Sequence, residues 1–164
     1  MISVTMQKAL NKQINAEQYS AQLYLAMSAY CAGKSFRGFA HWLTVQASEE
    51  TAHAAKLIRF LLDRGGTLRL TPVAAPESEF GSIIGVFEKI LEHEKAVTGD
   101  IAALFELARK EKDYASEIAL QWYVTEQVEE EASISEIVDH LHAVGDKGGA
   151  IWYLDSRMAK RGQG

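Results

Sequence analysis

The chain has 164 residues, 48% of them apolar, with 22 acidic against 17 basic side chains and a net charge of −5. A single domain spanning residues 1–164 can bury a core unaided, which excludes intrinsic disorder, and no charge-free apolar run of about 20 residues is present to span a membrane. The acidic balance argues against nucleic acid as a partner and for cations, while a lone Cys31 and a short, mixed N-terminus without an export pattern fit the cytoplasm.

Helix formers dominate, with apolar residues spaced three and four apart throughout. The first predicted helix runs from about Ser3 to Ala32 and is ended by Gly33. The second opens at Ser35 as N-cap and closes before Gly65-Gly66. The third begins near Ser82 and ends around Lys112. Asp113 caps the fourth, which stops at Gly145, and a short fifth covers about Ala150 to Lys160. Both prolines, Pro72 and Pro76, fall between the second and third helices.

Short connections make helices one and two antiparallel, and likewise three and four. The sixteen residues 65–80 read as extended chain. Extended, they reach roughly 53 Å, against about 45 Å for a thirty-residue helix. The segment can therefore run the length of the bundle, so the expected fold is all-α: a four-helix bundle with one long crossover and a short fifth helix.

The inward stripes of the four helices share an anomaly. Helix one reads Met6, Leu10, Ile14, Glu17, Ala21, Tyr24, Met27, Cys31, and helix two reads Phe36, Phe39, Leu43, Gln46, Glu50, His53, Leu57, Phe60. Helix three gives Ile83, Phe87, Ile90, Glu94, Val97, Ile101, Leu104, Ala108. Helix four gives Leu120, Tyr123, Gln127, Glu130, Ile134, Ile137, Leu141, Val144. A carboxylate interrupts each stripe near its midpoint, so four glutamates converge at one level of the core. Glu17 is the only acid among the first 48 residues, which does not describe a solvated face. Buried unpaired carboxylates cost several kcal/mol each, and no Lys or Arg stands mid-stripe to neutralise them. A divalent cation does. His53 shares a helical face with Glu50, and glutamate oxygens with one imidazole suit iron or manganese, with zinc able to compete.

Over nearly its whole length the chain resembles the ferritins, specifically the non-haem bacterial ferritins. The resemblance lies in Asn15-Ala16-Glu17-Gln18-Tyr19, Glu49-Glu50-Thr51-Ala52-His53, Glu92-His93-Glu94, and Leu120-Gln121-Trp122-Tyr123-Val124 running into Glu126-Gln127-Val128-Glu129-Glu130-Glu131. Helix four departs from the symmetric Glu-x-x-His pattern by carrying Gln127-x-x-Glu130. Thr51 stands where the haem-binding bacterioferritins place a methionine, so no haem is expected.

The resemblance implies that Glu17, Glu50 and His53 hold a first iron. Glu94 and Glu130 would hold a second, with Glu50 bridging and Gln127 beside it. Glu49, Glu126 and Glu129, with Glu130, would form a neighbouring third site, and Tyr24 would bond a ligand glutamate and donate an electron. The implied activity is ferroxidation of Fe(II) by dioxygen (or peroxide), with Fe(III) mineral stored in a homo-oligomeric cage of 24 subunits. Tyr19, Leu23, Ala26 and Tyr30 form a second apolar set on helix one, expected to face another subunit. Trp122 and Cys31 read as packing, Glu131 as solvated, and His41, His93, His140 and His142 as outside the site. A rubrerythrin-like oxidase would show a second Glu-x-x-His and a cysteine set. A DNA-protecting or purely structural bundle would not need central carboxylates.

Overall fold

The computed structural model describes residues 1–146 and 148–162. Among these, five helices and no strand are found: α1 (Val4–Gly33), α2 (Arg37–Asp63), α3 (Ile83–Glu111), α4 (Tyr114–Val144) and α5 (Gly149–Met158). Asp113 caps α4 as expected, and Ser3 and Ser82, where α1 and α3 were expected to begin, cap those helices, each accepting the N–H three residues on. Among the described residues no helix is long and apolar enough to cross a membrane.

Ser35 does not cap α2. It adopts φ +71°, and its N–H bonds the Ala32 carbonyl while that of Phe36 bonds Cys31. This is a Schellman ending for α1, whose left-handed position falls on Ser35 because Gly33 is still helical. Lys112 takes the same role after α3 at φ 55°, with Asp113 N–H on the Ala108 carbonyl. Thus both hairpin turns place a non-glycine residue in the left-handed region, at a cost of about 1–2 kcal/mol each.

The missing cap on α2 is supplied from far along the chain. Asp155 of α5 accepts the Phe39 N–H at 2.8 Å, satisfying one of the first-turn donors and placing a carboxylate at the positive end of α2. Gly38 permits the approach, since a Cβ there would overlap the Asp155 carbonyl.

Residues 65–82 run beside α1 and are fastened by its amides. Gln7 accepts the Thr67 N–H, Asn11 brackets Thr67 and Arg69, and Asn15 donates to Thr71 and Pro72. The crossover ends near the other end of α1, where the Tyr30 hydroxyl donates to the Gly81 carbonyl and its ring meets Phe80 edge-on. At the opposite end Ser3 bonds Glu111 and Arg64 bonds Asp113, so α3 runs against α1 and α4 against α2.

The crossover corrects one expectation. Leu23 is buried inside the subunit, with Tyr19, Ala26 and Tyr30 partly buried around it, so this set is largely consumed within the chain. Leu25, midway along the second half of α1, is a large apolar side chain that stays exposed, as is Val4 at its start. Ser20 rather than Ala21 completes the inward stripe, whereas all eight stripe positions of α3 are buried.

Candidate metal centre

The apolar core comes in two blocks. One contains Met6, Leu10, Ile14, Leu57, Ile101 and Leu120; the other contains Met27, Phe39, Leu43, Phe87, Ile90 and Ile134. Between them lies a polar layer formed by Glu17 of α1, Glu50 and His53 of α2, Glu94 of α3, and Gln127 and Glu130 of α4. All six are buried, none more than 7% exposed. The 3.6-residue repeat that buries the leucines on either side buries these carboxylates too.

His53 sits at the junction of two potential chelating groups. With Glu17 and Glu50 it forms one set, and with Glu126 and Glu130 a second, each with ligand atoms within 4.8 Å of one another. Its Nδ1 lies 3.4 Å from Glu50 and 4.0 Å from Glu17, and its Nε2 lies 4.0 Å from Glu126. Trp122 packs edge-on against the imidazole, and the Tyr123 hydroxyl donates to the His53 carbonyl at 2.8 Å.

Glu94 falls in neither group. Its carboxylate accepts from the Tyr24 hydroxyl and, at 3.0 Å, from Gln127 Nε2. Tyr24 is fully buried, and burial, reinforced by Glu94 and Glu50, pushes its hydroxyl well above the usual range. The tyrosine is thus held as a donor to Glu94.

Two amides escaped the sequence reading. Gln13 Nε2 donates to Glu17 at 2.9 Å. Gln46 Nε2 donates to Glu50 at 2.9 Å and to Glu130 at 2.8 Å, tying α2 to α4, while its own Oε1 is buried without a partner. In the sequence Gln46 is one more polar residue in a stripe, and nothing local shows that one nitrogen reaches two helices.

The carboxyls are crowded. Burial, then the charge of Glu50, pushes Glu17 up to about 8. Burial, then Glu94, raises Glu50 to about 7, and burial raises Glu130 to about 8 against its Gln46 hydrogen bond. Among the described residues no Lys or Arg forms an ion pair with Glu17, Glu50, Glu94 or Glu130. Without a cation the layer therefore retains protons near neutrality, and hard oxygen donors with one imidazole fit a divalent transition metal.

The expected third site is only partly gathered. Glu126 and Glu130 approach His53, but Glu49 and Glu129 belong to neither group. Glu49 pairs with Arg161 at 2.5 Å, and Glu129 is exposed. Glu131, expected to be solvated, accepts from the Thr98 hydroxyl. His93 faces Ser20 at 2.7 Å and the ring of Tyr24 and belongs to neither chelating group. Trp122 packs as expected, against His53 and Tyr123, with one side open to solvent where Lys56 Nζ lies 3.1 Å from its ring centroid.

A carboxylate layer at mid-height of a bundle with one long crossover defines the ferritin-like class. A family profile for the ferritin-like domain matches residues 7–144. A bacterial non-heme ferritin of Bacteroides fragilis is 40% identical over 161 residues, covering 98% of this chain and 100% of that protein. A second, from Campylobacter jejuni, is 43% identical over 155 residues, or 94% of this chain and 93% of that protein. Among solved structures, an open pore ferritin from the hyperthermophilic archaeon Archaeoglobus fulgidus matches with a TM-score of 0.97 at 46% identity, covering 98% of this chain and 99% of that one. The chain belongs to the ferritin family.

Proposed function

We propose that the protein is a cytoplasmic iron-storage ferritin that oxidises Fe(II) at a dinuclear centre and deposits Fe(III) inside a 24-subunit cage. The observation that carries this reading is the polar layer itself: four buried glutamates from four helices, one imidazole and, among the described residues, no Lys or Arg paired with those carboxylates. Glu17, Glu50 and His53 would take one iron. Glu94 and Glu130 would take the other, with Glu50 between them and Gln127 holding Glu94. Glu126, Glu49 and Glu129, with Glu130, would serve a third station. Thr51 offers no haem ligand, its hydroxyl being bonded to the Ala47 carbonyl.

The chemistry follows from charge. Binding Fe(II) expels the protons held by the raised carboxyls, and the resulting carboxylates favour the higher charge of Fe(III), lowering the cost of oxidation. Two adjacent irons deliver two electrons to one dioxygen, which with two protons leaves as hydrogen peroxide. Tyr24, donating to Glu94, would orient that carboxylate toward the second iron.

Stopped-flow oxidation at two Fe(II) per subunit tests the assignment. Glu50→Ala should slow the fast phase by more than the roughly 10–100-fold typical of losing an outer partner of a metal site. Glu129→Ala should retain the fast phase and alter later turnover. Apo Glu50→Ala should melt no lower than wild type, because like-charge crowding is relieved. A wild-type rate in Glu50→Ala would overturn the dinuclear assignment.

A further inference from the structure

The C-terminal turn after α5 returns to the metal-bearing helix. Arg161 Nη2 meets Glu49 Oε2 at 2.5 Å, and its Nη1 donates to the Trp42 carbonyl at 3.4 Å. The guanidinium carbon lies 4.1 Å from the Trp42 ring centroid, and the Arg161 carbonyl accepts from His41 Nε2 at 2.9 Å. Its side chain is 24% exposed, so this is a packed cation rather than a waving one. Asp155 fixes the preceding helix on the N-terminus of α2. The turn is therefore anchored at both ends.

We propose that Arg161 is a tethered competitor for the third metal station, occupying Glu49 until an incoming ion displaces the C-terminal turn. The proposal rests on reading Glu49, Glu126, Glu129 and Glu130 as that station. A guanidinium held on Glu49 Oε2 already engages that oxygen, and a cation brought beside a docked Arg161 meets like charge. Metal affinity at this station and docking of the turn then oppose one another, and the opposition is reciprocal: docking weakens the ion, and the ion loosens the turn. The third station becomes a place that iron visits and leaves. Among the described residues no Lys or Arg pairs with Glu17, Glu50 or Glu94, so the direct competition falls on Glu49 of the third station. Sequence alone hides the device, since the partners are 112 residues apart.

Terbium(III), a redox-inert ion that takes carboxylate oxygens, serves as the probe on the assembled protein. Its luminescence titration should resolve a class of weaker sites beyond the dinuclear centre. Arg161→Gln should tighten that class about tenfold, whereas Arg161→Lys, which keeps a cation there, should leave it close to wild type. Hydrogen exchange at the C-terminal peptide should rise as the weak class fills in wild type and stay flat in Glu49→Gln. Unchanged weak-class affinity in Arg161→Gln, or unchanged exchange on filling, would overturn the competitor role. Survival of the weak class in Glu49→Gln at wild-type affinity would instead overturn the station itself, and the two failures are distinguishable.

Discussion

Asp155 caps a helix to which it does not belong. Its carboxylate takes the Phe39 N–H at the start of α2, 116 residues earlier, at the one point where Gly38 leaves room for the α5 backbone. Besides the burial of Ile151 and Met158, the fifth helix is thereby tied to the bundle by a hydrogen bond of the kind that normally forms within four residues.

Asp155→Ala should destabilise the subunit by about 1 kcal/mol, the usual worth of an N-cap, with exchange increasing across α5. Gly38→Ala should cost more, because the Cβ forces the two backbones apart. Denaturant unfolding of both variants, with peptide-level hydrogen exchange, checks the order. An Asp155→Ala loss equal to or exceeding that of Gly38→Ala would contradict it.

Gln46 bonds Glu50 and Glu130 and holds both carboxyls lower than burial alone would set them. Gln46→Ala should raise both groups further and weaken anaerobic Fe(II) binding about tenfold, the lower end of what loss of an outer partner costs. Calorimetric titration measures it, and the proton count released per iron should increase.

The metal-free protein should lose stability as pH rises. Glu17, Glu50 and Glu130 sit at about 8, 7 and 8 in the fold against an ordinary 4.5, so the folded state holds more protons across that interval. Their contribution is complete below about pH 4.5 and disappears as pH climbs through 7 to 8. Apo melts between pH 5 and 9 should show this decline beyond any background slope, and Glu50→Gln should flatten it. Saturating divalent metal should reverse its sign, since metal binds the ionised form.

Assembly separates two neighbours on α1. Leu25 is 57% exposed and Leu23 is 8% exposed. Leu25→Glu should yield small species with helices intact, whereas Leu23→Glu, by burying a charge, should lower subunit stability by several kcal/mol. Light scattering and circular dichroism distinguish the two, and an intact large particle for Leu25→Glu would remove α1's exposed face from the subunit contact.

The helices, the crossover and the polar layer were legible because each depends on periodicity or reach, which one chain displays. The α3 stripe from Ile83 to Ala108 is the clearest case. Local chemistry misled at Ser35, where a serine before an apolar pattern resembles an N-cap, yet the turn needed a left-handed residue there. Leu23 was misjudged because an apolar face says nothing about what covers it, and the cover arrives from Phe80 and its neighbours. Gln13, Gln46 and Arg161 were silent for a related reason: their partners are set by packing between elements, not by spacing within one.

The polar layer also divides the ligands between the two hairpins. Glu17, Glu50 and His53 lie on α1 and α2, while Glu94, Gln127 and Glu130 lie on α3 and α4. Neither half carries the whole donor set, so on the proposed reading the dinuclear centre comes into being only when the hairpins close on each other. Iron in that position is a cross-link between halves of one chain. A loaded subunit would resist parting along its midline far longer than an empty one, and its lifetime would then be set by how quickly metal leaves.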